Sequence, residues 1–171
     1  MSARADGMRS ADRWRHGRPA GTARLAARCS TCATTLLRPD TERVEITSPD
    51  AAAEVLVAAV ADADREHCVV AVLDTKHRLL AVAQISAGSL DHTFMAPREV
   101  FRDALMRNGA AIVLAHNHPS GDPSPSADDL AVTRRLVDAG RIIGIDVLDH
   151  LVVGGGDWVS LARRGELDSR A

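Results

Sequence analysis

Residues 114 to 129, LAHNHPSGDPSPSADD, place two histidines, three prolines and three aspartates within sixteen residues. His116 and His118 stand two apart, so in an extended chain both imidazoles point to the same side. Further on, Ser126 opens an amphipathic segment, and Asp129, three residues later, falls in its first turn. Pro119, Pro123 and Pro125 restrict the loop between them, which lowers the entropy lost when ligands are held together. Two neutral histidines and one carboxylate are a common open zinc set that leaves a fourth position for water. Zinc held this way lowers the pKa of water toward ~7. The expected ligands of a Zn2+ ion are therefore His116, His118 and Asp129. Asp122 lies in the turn, and Asp128 is rotated by about 100° from Asp129 on a helix, so neither is expected to join them. The S-x-x-D spacing is also what helix capping requires, and a lone histidine at a strand end is usually a satisfied polar group. The metal reading rests on the joint pattern H-x-H-P, Pro-rich loop, S-x-x-D.

These residues need elements to hold them, and from residue 41 the hydrophobic periods alternate between helix and strand. SPDAAAEVLVAAVADA, with Ser48 as N-cap and Pro49 at the first helical position, predicts a helix over about 49 to 63. EHCVVAVLD and RLLAVAQISAG read as two antiparallel strands joined by a tight turn at TKH. APREVFRDALMRNG predicts a helix from Pro97 that ends at Gly109. AAIVLA, continuously apolar, predicts a buried strand ending at the histidines. ADDLAVTRRLVDAG follows as an amphipathic helix closed by Gly140, and IDVLDHLVVGG as a further strand. Gly121 suits a turn that needs positive φ. The fold class is α/β, a mixed β-sheet flanked by helices.

Composition limits the alternatives. A chain of 171 residues suits one domain. Residues 1 to 40 carry eight arginines against three aspartates with little periodicity, and are expected to form a solvated, disordered arm. The domain is expected over 41 to 165, with 166 to 171 as a tail. Cys29 and Cys32 have ligand spacing, but a structural zinc site needs four ligands and no second pair follows. Three cysteines make no even disulfide framework, no stretch reaches the roughly 18 apolar residues of a membrane span, and no secretory signal opens the chain, so the expected compartment is the cytoplasm. Four aromatic residues, Trp14, Phe94, Phe101 and Trp158, weigh against base-stacking platforms.

At His116, His118, Pro119, Ser126 and Asp129 the chain resembles the JAB/MPN metalloprotease superfamily, whose signature is H-x-H-P, six residues, then S-x-x-D. The wording HNHPSGDP is similar to the RadC-like branch, as are EHCVVAVLD, GSL at 88 to 90, PREVFRDAL at 97 to 105 and VLDH at 147 to 150. The resemblance covers about residues 45 to 163. It implies a zinc-dependent peptidase or isopeptidase acting on peptide or protein amides, with a layout related to cytidine deaminases. The deaminases themselves do not match, since their P-C-x-x-C ligand pair is absent.

The family takes a general base from an early strand, and the resemblance places Glu66 there, to accept a proton from water and return it to the leaving amine. Glu99 is the competitor on a helix, expected to be structural; from the residues alone, Glu66 is equally an exposed charge at a strand end. The resemblance also gives the Ser126 hydroxyl a part in holding the developing oxyanion, in competition with capping. His150 reads either as a partner of a ligand or as an ordinary strand residue, and the second is expected. Two other functions stay open. RadC-like proteins have an association with DNA repair, and relatives often carry a helix-hairpin-helix segment that residues 1 to 40 do not match. A nucleic-acid role would then rest on the basic arm. Some members of the superfamily are non-catalytic scaffolds.

Overall fold

The computed structural model describes residues 43–61, 63–87 and 95–167, with the backbone of 27–28 and 34–36. A seven-stranded sheet in the order β1-β2-β4-β3-β5-β6-β7 forms its middle layer. The strands are β1 (Ala27–Arg28), β2 (Thr34–Leu36), β3 (His67–Leu73), β4 (Leu79–Ala87), β5 (Ala111–Asn117), β6 (Asp146–Gly154) and β7 (Asp157–Ser160). All pairings are antiparallel except β5 with β6. The mixed sheet flanked by helices agrees with the fold class read from the sequence. Five residues assigned to the disordered arm form β1 and β2 instead, because the edge of β4 offers Ala81, Val82 and Ala83 as antiparallel partners. The rest of that arm, including Cys29 and Cys32, lies outside the described residues, as do residues 88–90.

The β3–β4 hairpin turns where expected. The Asp74 carboxylate accepts from the N–H groups of Lys76 at 2.8 Å and Arg78 at 3.0 Å, and His77 takes φ 57°. On β3 and β5 alternate side chains face opposite layers. Val69, Ala71, Leu73, Val113 and Ala115 pack with helix α1 (Pro49–Val60), through Ala52, Val55 and Leu56. Cys68, Val70, Val72, Ile112 and Leu114 pack with α2 (Pro97–Val100), α3 (Arg102–Met106) and α4 (Ala127–Ile143). All seven residues of β5 are buried, as a strand covered on both faces must be.

Three helix boundaries differ from the sequence reading. The first helix stops at Val60 rather than near 63. The expected helix from Pro97 is broken at Phe101, whose buried ring packs into the core, and the chain turns at Asn108 with φ 51° before Gly109. Gly140 does not close α4; Gly144 does, at φ 75°. A Cβ on Gly140 would come within 2.4 Å of the Ile145 carbonyl oxygen, so this glycine serves close packing rather than a turn. No described helix is long and apolar enough to cross a membrane.

Candidate metal centre

Strand β5 ends at Asn117, and the N–H of His118 donates to the Val153 carbonyl at 2.7 Å, so the ladder with β6 runs one residue further. This keeps the chain extended across 116–118 and sends both histidines to the side covered by α4. From the first turn of α4 comes Asp129. The three side chains meet: His116 Nε2 lies 3.0 Å from His118 Nε2, Asp129 Oδ1 lies 3.1 Å from the first, and Asp129 Oδ2 lies 3.3 Å from the second. One ligand atom from each lies within 4.8 Å of the others.

The donor chemistry of this cluster fits a cation. His118 Nδ1 is 2.8 Å from the Asp122 carbonyl, which can only accept, so Nδ1 carries the proton and Nε2 presents a lone pair. A cation seated among these nitrogen and carboxylate atoms would be within reach of all three side chains. Burial pushes the Asp129 carboxyl up, but the hydrogen bonds it accepts, those from the Ser126 N–H and hydroxyl among them, outweigh it and hold it well below the usual carboxylate range. It is therefore an anion at neutral pH. Two imidazole nitrogens and one carboxylate leave room for water at a tetrahedral ion.

Ser126 caps α4 as its sequence position suggested. Its Oγ accepts from Asp129 N–H at 3.1 Å and donates to Asp129 Oδ2 at 2.6 Å, and its own N–H donates to Oδ2 at 2.7 Å. The capping box is complete, so one hydroxyl both ends the helix and steadies the carboxylate. Gly121 takes φ 82° in the loop, as expected. Asp122 contributes its carbonyl rather than its carboxylate, which accepts from Ser124 N–H at 2.9 Å. Asp128 is exposed.

Glu66 is not part of the cluster. It precedes β3, half-buried, and makes no hydrogen bond or ion pair among the described residues. The register between β3 and β5 sets Cys68 opposite His116, so Glu66 stands two residues before that pair. Burial, and then the charge of Glu66, push the Cys68 thiol up, so Cys68 is no nucleophile at neutral pH. Glu99 is exposed on α2, where its carboxylate accepts from Arg98 Nε at 3.1 Å.

The residue between the two histidines went unremarked in the sequence. Asn117 is buried on the opposite face, where its Oδ1 accepts from His67 N–H at 2.7 Å and its Nδ2 donates to the Arg65 carbonyl at 2.9 Å. It thus ties down the segment that carries Glu66. The HNH spelling is the only signal for it. His150 needs a correction: it is not an ordinary strand residue. Its ring is fully buried with Nε2 2.8 Å from His116 Nδ1 and Nδ1 2.6 Å from Thr133 Oγ1. Burial pushes its imidazole well below the ordinary value.

The neighbouring Asp149 ties β6 to helix α5 (Leu161–Arg164). It accepts from His150 N–H at 2.7 Å, Ser160 Oγ at 2.6 Å and Ala162 N–H at 2.9 Å. Burial outweighs these bonds and pushes its carboxyl from 3.8 up to about 6. A folded-state pKa above the unfolded one means that the group's stabilisation is whole below pH 3.8 and is lost as pH rises through about 6. Asp149→Asn has no proton to lose. Urea unfolding from pH 4 to 7 is expected to show wild type losing on the order of 2–3 kcal/mol relative to Asp149→Asn across that window. A flat difference would mean that Asp149 titrates alike in both states.

A cleft of about 220 Å³ opens beside His118, walled by Asn117, Pro119, Gly121, Val153 and Gly154.

Comparison with known proteins agrees with this geometry. The family described as RadC-like JAB domain matches residues 46–166, a span that holds every residue of the cluster. A UPF0758 protein of Desulfitobacterium hafniense is 48% identical over 125 residues, 73% of this chain and 55% of that protein. One from Moorella thermoacetica is 49% identical over 125 residues, with the same shares of 73% and 55%. One from Roseiflexus castenholzii is 42% identical over 146 residues, 85% of this chain and 63% of its own. The chain spans about half the length of the first two. Carrying that match along with the histidine and aspartate cluster, the chain belongs to the RadC-like JAB domain family.

Proposed function

We propose that this protein is a zinc-dependent hydrolase of amide bonds, a peptidase or isopeptidase, with His116, His118 and Asp129 as ligands. The observation that carries the reading is the convergence of two imidazole nitrogens and a carboxylate where β5 meets the first turn of α4. Bound there, zinc supplies Lewis acidity and lowers the pKa of water toward about 7. The chain's own residues do the rest. Glu66, two residues before the Cys68–His116 pair and free of ion pairs among the described residues, takes the proton from the attacking water and returns it to the leaving amine nitrogen. Ser126 holds Asp129 in place through its hydroxyl; when that hydroxyl turns from Oδ2 to the substrate, it donates to the developing oxyanion. The glycine-walled cleft admits an extended chain close to His118. The substrate in this reading is a peptide or protein amide, and the compartment is the cytoplasm.

Incubating the zinc-loaded protein with a complex peptide library, and reading new termini by mass spectrometry, tests this. Wild type is expected to cleave. Glu66→Gln is expected to keep its zinc and to cleave roughly 10²–10⁴-fold more slowly, the usual worth of a general base. Zinc-loaded wild type that cuts nothing would favour a non-catalytic scaffold, and Glu66→Gln at wild-type rate would remove Glu66 as the base.

A further inference from the structure

We propose that His150, held by Thr133, is a positioning residue that locks His116 in the tautomer whose Nε2 lone pair faces the Asp129 carboxylate. The inference deepens the zinc reading and rests on it for its consequence, but its premise is hydrogen bonding already present in the protein. Thr133 Oγ1 lies 2.6 Å from the Asp129 carbonyl, which can only accept, so the single hydroxyl proton goes there. Toward His150 Nδ1, 2.6 Å away, the same oxygen must therefore accept, and Nδ1 carries hydrogen. The His150 ring is fully buried and its two nitrogens meet only Thr133 and His116, with no carboxylate to hold a second proton, so Nε2 is left to accept. His116 Nδ1, 2.8 Å from it, must donate. That leaves His116 Nε2 as a bare lone pair, aimed at Asp129 Oδ1 and His118 Nε2.

Each step is forced by the one before, and water cannot substitute, because His116, Thr133 and His150 are each 0% exposed. The relay begins and ends at one residue. The carbonyl of Asp129 orients Thr133, and the carboxylate of Asp129 borders the nitrogen that the relay exposes. The first turn of α4 thus sets both a ligand and the ring opposite it. Without His150, Nδ1 of His116 would lose the acceptor that fixes its proton, and the proton could move to Nε2, where it would block a cation.

The test uses the full chain with His150→Leu, His150→Gln and Thr133→Val. Circular dichroism first checks that each variant is folded. Nitrogen-15 spectra of the metal-free wild type read which nitrogen of His116 is protonated, and competition with a chelating dye gives zinc affinity. Wild type is expected to show protonated Nδ1 and bare Nε2 at His116. His150→Leu is expected to bind zinc 10–100-fold more weakly, the usual cost of losing a residue that orients a ligand. His150→Gln, whose amide oxygen can accept from His116 while its NH2 donates to Thr133, is expected to stay within about threefold of wild type. Thr133→Val falls between them, and still tests the relay should the leucine variant fail to fold. A folded His150→Leu with wild-type zinc affinity would overturn the proposal, because a merely structural residue moves stability and not affinity. A proton on Nε2 of His116 would overturn it too. Wild type that shows the stated tautomer yet takes up no zinc would remove the metal reading and leave the relay standing.

Discussion

Replacing His118 by alanine is expected to abolish stoichiometric zinc binding while the fold survives. His118 is one of three side chains whose donor atoms meet at the end of β5, and its Nε2 lies 3.3 Å from Asp129 and 3.0 Å from His116. Binding free energies of roughly 10–16 kcal/mol at four-ligand zinc sites come to about 3 kcal/mol per ligand, or at least a hundredfold in affinity for one lost. His118 is only partly buried, so its removal opens no core cavity. Elemental analysis should find about one zinc per chain in wild type and in Glu66→Gln, but little in His118→Ala. Asp129→Ala is expected to match His118→Ala in zinc content and to lose stability as well, since Asp129 also accepts from the Ser126 N–H and hydroxyl. Equal zinc in His118→Ala and wild type would place the metal elsewhere in the chain.

Gly154→Ala is expected to damage the site from outside it. A Cβ on this buried glycine would lie 2.8 Å from the carbonyl carbons of Gly121 and Asp122 and from Pro123 N. These are backbone atoms, and no flexible side chain can move aside, so the loop itself must shift. The loop is what orients His118, through the Asp122 carbonyl at 2.8 Å from Nδ1. Overpacking of this kind costs roughly 1–3 kcal/mol. Loss of the carbonyl that orients His118 should weaken zinc binding about tenfold. Gly156→Ala separates these effects. Nothing lies within 4 Å of a Cβ there, but its φ of 89° strains any L side chain. That variant is expected to lose roughly 1–2 kcal/mol of stability with zinc affinity unchanged. Zinc titration beside urea unfolding checks both, and wild-type affinity in Gly154→Ala would show that the loop yields without disturbing His118.

Much of this site was legible because its parts are close in sequence and each obeys a local rule. His116 and His118 share a face through the period of an extended chain, and Ser126 and Asp129 make a capping box whatever lies around them. The buried strand that presents the histidines announced itself as an unbroken apolar run. What stayed hidden depends on tertiary partners. His150 meets His116 across 34 residues, because the parallel register of β5 and β6 sets Leu114 opposite His150 with a shift between Ile112 and Val113. No local pattern encodes that shift. The reading of Gly140 as a helix end failed for a similar reason: the glycine answers to the Ile145 carbonyl and not to its own backbone. The break at Phe101 follows from core packing that a helical period does not reveal.

The central claim is that two imidazoles and a carboxylate hold a zinc ion with a position left for water. The zinc K-edge X-ray absorption spectrum of the loaded protein addresses it most directly. The account predicts nitrogen and oxygen neighbours alone, at about 2.0–2.2 Å, in fourfold coordination, and a spectrum lost in His118→Ala. A protein that takes up no zinc, or one whose zinc has sulfur neighbours at about 2.3 Å, would contradict it.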